Sequence, residues 1–179
     1  MIRTRLRRKI LSGKIVIHPT ESCFGIGCDP NCINSLIKIS QVKKRSKNKS
    51  YLLIGSSINN FRKFITPINK TDLSEIQKKW PGHHTWLLKK QFNCNQLLSP
   101  KNNTIGCRIP DHNFMRSILK DIGMAITSTS ANKSGQKSIK SIRECFRKYN
   151  KLGYIIKYKV GFYDKPSTIQ NFESKVIYR

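Results

Sequence analysis

A run of β-branched residues leads into a polar turn in the stretch Ile15-Val16-Ile17-His18-Pro19-Thr20-Glu21-Ser22-Cys23-Phe24-Gly25-Ile26-Gly27. Residues 15–17 have the composition of a short buried strand. Pro19 ends regular structure, and Gly25 and Gly27 predict a loop that can approach a ligand closely. Thr20 therefore follows the end of a buried strand, which is where ligands bind in open α/β sheets.

Helices and strands alternate along the chain outside this stretch. Helical periodicity predicts helices at residues 2–11, 33–40, 58–65, 72–80, 114–122 and 139–146, the first stopped by Gly13 and the fifth by Gly123. Further strands are predicted at residues 51–54, 85–88, 105–109, 124–127, 155–160 and 175–178. The alternation indicates an α/β fold in which helices cover a twisted mixed parallel and antiparallel sheet. We expect residues 1–179 to form a single domain, because one core persists up to roughly 250 residues.

The apolar content argues against a membrane protein. Apolar residues make up 37% of the chain and occur in short blocks, none of which approaches the roughly 20 residues that span a bilayer. Residues 1–9 lack the apolar stretch that a secretory signal has after its basic start. We therefore expect a cytoplasmic location.

The strongly basic composition fits a polyanionic partner. Thirty-five Lys and Arg residues against nine Asp and Glu give a formal net charge of +26, which attracts RNA with a salt-dependent affinity. The alternative is a general Lys and Asn bias of the coding sequence, because the charge is spread over the whole chain. Composition leaves both interpretations open.

Common metal and nucleotide motifs are missing from the sequence. The six cysteines and four histidines show no zinc-knuckle spacing, so we expect free thiols and no protein metal site. No P-loop is present, and Gly25-Ile26-Gly27 lacks the third glycine of a dinucleotide fingerprint. His83 and His84 lack the paired carboxylates of an acid–base site and are more typical of turn or edge residues.

Polar residues cluster after the predicted strands. Thr20 follows the first strand, Arg108 lies within the strand before Pro110, and the segment Ser128-Thr129-Ser130-Ala131-Asn132 follows residues 124–127. Because ligands bind outside the carboxyl ends of strands in open α/β sheets, we expect these segments to converge on one crevice. The alternative is that Ser, Thr and Asn serve here as ordinary turn and N-cap residues.

A second group of candidate residues is cationic. Lys43 and Arg45 follow the second predicted helix, and Lys49 comes four residues after Arg45. A guanidinium fork with flexible ammonium groups can hold a triphosphate and stabilise the charge on departing pyrophosphate. Together with Arg108 and the Ser128 to Asn132 segment, these cations predict an ATP site that adenylates a small carboxylate. The alternative is a solvated basic linker, which a lysine-rich chain also favours.

Six blocks of sequence match the motifs of one family in the same order. They are His18-Pro19-Thr20-Glu21-Ser22-Cys23-Phe24-Gly25-Ile26-Gly27, Lys43-Lys44-Arg45, Trp80-Pro81-Gly82-His83-His84-Thr85, Thr104-Ile105-Gly106-Cys107-Arg108-Ile109-Pro110, Ser128 to Gly135, and Pro166-Ser167-Thr168-Ile169. In these blocks the chain resembles the YrdC-like family of threonylcarbamoyl-AMP synthases, in its short single-domain bacterial form. The resemblance covers nearly the whole chain from residue 13 onward.

The resemblance implies a synthase that joins L-threonine, bicarbonate and ATP to give threonylcarbamoyl-AMP and pyrophosphate. The implied class is a nucleotidyltransferase, with Mg²⁺ accompanying the ATP. A separate threonylcarbamoyl-transferase machinery then passes the threonylcarbamoyl group to the adenosine next to the anticodon in tRNA. The tRNA itself is a candidate partner of this chain.

The resemblance also implies roles for individual residues. Thr20, Arg108 and Ser128 would hold threonine, with Arg108 as a bidentate clamp on its carboxylate. Lys43 and Arg45 would be the catalytic residues, close to the phosphates. The residues implied for ATP binding are Arg45, Lys49, Thr104, Ser130 and Asn132.

The chain departs from the family pattern at several points. His18 replaces the usual Tyr, and Ser46 replaces the Pro that follows Lys-x-Arg. Ser50 and Tyr51 stand where many members have Pro-Leu followed by a His that contacts threonine, and Asn171 stands where an acidic residue is common. The alternative function is a non-catalytic RNA-binding module that uses the same basic cleft.

Overall fold

The computed structural model describes residues 2–46 and 48–179, with side chains from residue 4 onward. The helices are α1 (Ile2–Leu11), α2 (Ile33–Lys43), α3 (Lys70–Gln77), α4 (Asn113–Ile122) and α5 (Ile142–Tyr149), with short 3-10 helices at Ile58–Phe61 and Gln96–Leu98. The strands are β1 (Val16–Pro19), β2 (Phe24–Gly27), β3 (Leu52–Ile54), β4 (His84–Lys89), β5 (Thr104–Arg108), β6 (Ile126–Ser130), β7 (Tyr154–Ile155) and β8 (Thr168–Asn171). Within these described ranges, no helix has the length and apolar character needed to cross a membrane.

The strands form one sheet in the order β7-β1-β2-β6-β3-β5-β4-β8. The pairs β1–β7, β3–β5 and β4–β8 are parallel. The pairs β1–β2, β2–β6, β3–β6 and β4–β5 are antiparallel. The predicted α/β class with a mixed sheet is therefore confirmed, and β6 joins the first two strands of the chain to the rest of the sheet.

The two faces of the sheet carry separate hydrophobic cores. Successive side chains of a strand point to opposite faces, so Leu53 and Ile54 enter different cores. One face is covered by α2, α3 and α5, which contribute Leu36, Ile76 and Cys145. The other face is covered only in part, by α1 and α4, whose buried side chains include Leu6, Ile10, Ile118 and Leu119.

The uncovered part of this second face carries small and polar side chains. Along β6, Ile126 packs in the core under α1 and α4, and Ser128 lies next on the same face. Leu52 of β3 pairs with Ser128, and Gly25 of β2 pairs with Ser130. The sheet face thus changes from apolar to polar along its strands, and it leaves room for a ligand where the helices stop.

The predicted loop at Gly25 and Gly27 is wrong, because Phe24–Gly27 forms β2 and pairs on both sides. Phe24 and Ile26 are fully buried in the core. Apolar residues at every second position favour a strand, and here this pattern decides the structure despite the two glycines. The glycines serve close packing instead. A Cβ on Gly27 would clash with the carbonyl oxygen of Thr127 in the adjacent chain segment.

Several other predicted elements differ from the structure. Residues 58–65 form only the 3-10 turn Ile58–Phe61, and Ile65 already bridges to Lys90 beside β4. The predicted strand 155–160 is reduced to β7, which ends at Ile155. The last strand is Thr168–Asn171, while residues 175–178 contribute only a bridge to it. These differences arise because strand pairing between distant segments, which local pattern does not encode, decides the boundaries.

We expect Gly27→Ala to destabilise the protein by about 3 kcal/mol, because the added methyl group meets a backbone atom that the strand pairing holds in place. The matched control is Gly123→Asn. Gly123 has a φ of 68° with nothing within 4 Å of an added Cβ, and Asn tolerates this conformation, so the loss should be about 1 kcal/mol or less. Urea unfolding of both variants measures the difference, and equal losses would contradict the packing argument.

Candidate functional site

A cavity of about 380 Å³ lies over the polar part of the second sheet face. Its lining includes the predicted site residues Thr20, Arg45, Arg108, Ser128 and Ser130. Thr20 and Ser130 lie at the carboxyl ends of β1 and β6, which run in the same direction because both are antiparallel to β2. Arg108 ends β5, which runs the opposite way. The predicted shared carboxyl edge therefore holds for Thr20 and Ser130 but not for Arg108, which reaches the cavity across the sheet face.

The Arg108 side chain forms a buried ion pair with Glu21. Arg108 Nη2 donates to Glu21 Oε2, and Glu21 Oε1 accepts a hydrogen bond of 2.7 Å from the backbone N–H of Asp111. Burial lowers the pKa of Arg108, and the charge of Glu21 opposes this shift. Arg108 Nε has no hydrogen-bond partner within the described ranges. Glu21 therefore fixes the guanidinium through one nitrogen and leaves donors for a further anion.

Thr20 is fixed in the turn between β1 and β2. Its Oγ1 donates to the carbonyl oxygen of Cys23 at 2.7 Å, and its backbone N–H donates to the same oxygen at 3.0 Å. The carbonyl oxygen of Thr20 accepts from the N–H of Gly161 at 2.9 Å. Because the hydroxyl proton is used within the turn, Thr20 offers an acceptor to a ligand.

Lys43 lies behind the residues that line the cavity and holds some of them in place. It is the last residue of α2 and only 2% exposed. Its Nζ donates to the carbonyl oxygen of Ser130 and, at 2.6 Å, to that of Asn132. Burial, followed by the charge of Arg45, lowers the pKa of Lys43 from its usual 10.5 to about 8. The ammonium group thus fixes the end of β6 and the segment that follows it.

The burial of Lys43 accompanies a particular orientation of α2. Leu36, Ile39 and Lys43 face inward, whereas Ile33 and Ile37 are exposed. The helix is rotated toward the side that brings its final lysine to the two carbonyl groups.

Arg45 lies between this cavity and a second one of about 550 Å³. Its Nη1 donates to Thr129 Oγ1 at 3.2 Å, and its Nη2 donates to the carbonyl oxygen of Ser50 at 2.7 Å. The guanidinium carbon lies 5.1 Å from the centre of the Tyr51 ring. Burial lowers the pKa of Arg45, and Tyr51 opposes the shift. Arg45 therefore has a defined position next to both cavities.

Three predicted ATP residues lie away from the main cavity. Lys49 lines the second cavity beside Arg45. Thr104 begins β5, at the opposite end of that strand from Arg108. Asn132 is buried, its Nδ2 donates to the carbonyl oxygen of Gln136, and its Oδ1 has no partner within the described part of the chain. The structure thus does not bring the whole predicted nucleotide set into one cavity.

Ser167 and Arg179 line the main cavity although sequence reasoning assigned them no role. Arg179 Nε donates to the carbonyl oxygen of Ser167 at 3.2 Å, and Ser167 Oγ lies 3.0 Å from Thr85 Oγ1. Burial and the nearby charge of Arg108 lower the pKa of Arg179. The Pro-Ser-Thr-Ile block could have indicated a role for Ser167. No local pattern indicates Arg179, which reaches the cavity through its hydrogen bonds to β8 and the residue before it.

The lining of the cavity is cationic and polar. Three arginines, Arg45, Arg108 and Arg179, line it together with hydroxyl groups of Ser and Thr. At its rim Lys140 and Asp164 form an exposed ion pair of 2.9 Å. Across residues 2–46 and 48–179, no group of three or more His, Cys, Asp or Glu side chains could hold a metal ion. The arrangement therefore suits carboxylate and phosphate groups, which bind guanidinium forks.

Comparison of sequences relates the chain to a single protein family. Residues 8–179 match the Sua5/YciO/YrdC family, which is described as telomere recombination. A threonylcarbamoyl-AMP synthase of Methylobacillus flagellatus is 32% identical over 174 residues, covering 97% of each chain. A threonylcarbamoyl-AMP synthase of Wigglesworthia glossinidia brevipalpis is 36% identical over 162 residues, 88% of this chain and 82% of the relative.

Solved structures share the fold. E. coli YciO matches with a TM-score of 0.84 at 20% identity, covering 99% of this chain and 88% of that one. P. abyssi Sua5 complexed with L-threonine also matches with a TM-score of 0.84, at 24% identity, covering 95% of this chain and 50% of that one. At this level of sequence identity, the comparison shows that the chain shares the fold of these proteins.

We expect Lys43→Met to lower the free energy of unfolding by about 2–3 kcal/mol, because it leaves the carbonyl groups of Ser130 and Asn132 without their donor. Lys44→Met is the matched control, since Lys44 is the exposed neighbour and should change stability by less than about 0.5 kcal/mol. Chemical denaturation of both variants compares them. Similar stability of the two variants would show that Lys43 does not fix this segment.

Proposed function

Because the chain belongs to the Sua5/YciO/YrdC family, we propose that it is an L-threonylcarbamoyladenylate synthase, a nucleotidyltransferase that joins L-threonine, bicarbonate and ATP. The observation that carries the proposal is the cavity in which Arg45, Arg108 and Arg179 meet Ser and Thr hydroxyl groups. Relatives that match nearly the full length of the chain are named threonylcarbamoyl-AMP synthases. Three cations suit a reaction whose substrates carry a carboxylate, a bicarbonate ion and a triphosphate.

In this proposal Arg108 binds the threonine carboxylate. The ion pair with Glu21 supports this role, because it engages Nη2 and holds the guanidinium in one orientation at the cavity lining. Thr20 Oγ1 accepts a hydrogen bond from an amino or hydroxyl group of threonine, since its own proton is given to Cys23. Ser128 adds a further hydroxyl group to the same side of the cavity.

ATP occupies the part of the cavity near Arg45 and Arg179, with Ser130 beside it. Lys43, which the sequence predicted as catalytic, is proposed to act as a positioning residue that holds the Ser130 to Asn132 segment beside the nucleotide; its two hydrogen bonds support this role. Lys49 contributes from the second cavity, which shares Arg45 with the first. Contacts of Thr104 and Asn132 with ATP stay predictions.

The proposed reaction needs no protein nucleophile. The amino group of threonine and bicarbonate give a carbamate with loss of water. A carbamate oxygen then forms a bond to the α-phosphorus as the bond from that phosphorus to pyrophosphate breaks. The arginines offset the charge that builds on pyrophosphate, so positioning and electrostatics supply the rate enhancement.

Mg²⁺ is proposed to accompany ATP, neutralising charge on the triphosphate. The carboxylates beside the cavity are already engaged, Glu21 by Arg108 and Asp164 by Lys140. Phosphate oxygens and water would therefore supply most of the Mg²⁺ ligands, which is how this ion usually binds with nucleotides.

The product is a labile mixed anhydride, which a dry cleft protects from hydrolysis. In the proposed sequence of reactions, the threonylcarbamoyl-transferase machinery moves the threonylcarbamoyl group to the adenosine next to the anticodon in tRNA. We propose a cytoplasmic location for this work, and tRNA as a further candidate partner of the basic surface.

A non-catalytic RNA-binding module is the competing function. The net charge of +26 favours it, and it predicts a tRNA affinity that falls steeply with salt. The cavity argues for the synthase instead, because Arg108 is buried and hydrogen bonds orient all three of its arginines, Arg45, Arg108 and Arg179. RNA phosphates require no such enclosed positions.

We expect pyrophosphate release only when L-threonine, bicarbonate and ATP are all present. The measurement is a coupled pyrophosphate assay with each substrate left out in turn. Release at the full rate without threonine would contradict the proposed synthase and point to simple ATP hydrolysis. Recovery of threonylcarbamoyl-AMP by mass spectrometry is the positive control for the complete mixture.

We expect Arg108→Ala to lower kcat/KM for threonine by about 100- to 1000-fold, because it removes a buried charge-assisted contact with the carboxylate. Arg108→Lys, which keeps a charge beside Glu21 but loses the fork, should lie between this variant and the unaltered protein. The control is Arg143→Ala, since Arg143 is exposed on α5. Binding to tRNA should stay unchanged in all three, and a parallel loss of synthesis and tRNA affinity would favour the RNA-binding module.

A further inference from the structure

His18 is a buried titratable residue that the proposed reaction does not use. It lies in β1 on the same face of the sheet as Val16 and is 0% exposed. Its Nδ1 lies 3.3 Å from the carbonyl oxygen of Pro19. Because a carbonyl oxygen can only accept, the proton of the neutral ring is on Nδ1, which makes Nε2 an acceptor.

The imidazole is neutral at physiological pH. Burial is the main cause that lowers the pKa of His18 to about 4, and the hydrogen bond to Pro19 opposes it. The charges of Arg108 and His112 lower it further. Nε2 therefore keeps its lone pair, yet it has no hydrogen-bond partner in the part of the chain that the structure describes. A buried acceptor without a donor is unfavourable, so a donor is expected beside it.

Nε2 and the Ser128 hydroxyl border the same small space at the floor of the cavity. His18 pairs with Gly25 across β1 and β2. An ideal Cβ on Gly25 would lie 2.8 Å from His18 Nε2 and 3.1 Å from Ser128 Oγ. Gly25 and Ser128 both line the cavity. Gly25, which has no side chain, thus leaves open the space that a buried acceptor and a cavity hydroxyl both border.

We propose that His18 is a positioning residue of the threonine site, whose Nε2 takes its hydrogen bond from the Ser128 hydroxyl across Gly25, through one water or after a small shift of the Ser128 side chain. Ser128 then turns its oxygen lone pairs toward the cavity. In that orientation it accepts a hydrogen bond from the amino group of threonine and does not donate to the carboxylate. The inference rests on the proposed function, because it deepens the role given there to Ser128.

The test uses two replacements of His18 that differ in the acceptor. His18→Phe keeps a ring without an acceptor, and His18→Gln places an amide oxygen near the position of Nε2. We expect His18→Phe to raise the calorimetric Kd for L-threonine, and its KM, by about three- to tenfold. The KM for ATP and kcat should stay within about twofold, and His18→Gln should retain threonine binding to within about twofold.

Coupling to Ser128 separates positioning from a general structural effect. Once Ser128→Ala has removed the hydroxyl, adding His18→Phe should leave the Kd for threonine unchanged, because the two residues act as a unit. His84→Phe is the matched control, since His84 Nε2 is also buried without a partner in the described ranges but lies outside the cavity lining. It should leave the Kd for threonine unaltered.

Independent, multiplying effects of His18→Phe and Ser128→Ala would overturn the inference, as would an unchanged threonine Kd in His18→Phe. If thermal unfolding shows that His18→Phe does not fold, His18→Gln and His18→Asn decide instead. The Asn side chain is too short to present its oxygen at the Nε2 position, so it should weaken threonine binding while Gln does not. Calorimetry measures threonine binding without turnover. Failure of the proposed synthase would be seen separately, because the unaltered protein would then release no pyrophosphate in response to threonine.

Discussion

The buried ion pair between Arg108 and Glu21 is the interaction on which the cavity depends. Glu21 follows β1 and Arg108 ends β5, and three other strands lie between these two in the sheet. Taking two charges out of water is expensive unless their geometry and remaining hydrogen bonds are good. The backbone N–H of Asp111 supplies such a bond to the second oxygen of Glu21. A cation with a fixed direction is thereby placed over the polar part of the sheet face.

Local sequence signals predicted the parts of the fold that local interactions decide. Helix α4 ends at Ile122 and is capped by Gly123 as expected, because a residue tolerant of positive φ is favoured there. The same kind of reasoning failed for β2, where two glycines suggested a loop. Their role depends on Thr127 and His18, which approach from other strands. Arg179 could not be predicted for a similar reason, because its place in the cavity follows from pairing with β8.

The cations of this chain fall into two groups that composition does not distinguish. Lys43, Arg45 and Arg108 are enclosed and hydrogen-bonded to particular protein atoms. Most other lysines are exposed, including Lys133 and Lys137 near the cavity segment. A formal charge of +26 counts both groups equally. Burial and direction separate the cations that shape the cavity from those that mainly surround the protein with positive potential.

The cavity lining extends from Thr20 to Arg179, and β6 must pair with both β2 and β3 to form its floor. Such contacts between distant segments form slowly, because the chain entropy of closing long loops opposes them. During synthesis, a ribosome-bound chain that ends before β8 contains no complete pocket. The complete cavity therefore forms only after β8 and Arg179 have emerged, in contrast to a phosphate loop, whose binding residues are contiguous.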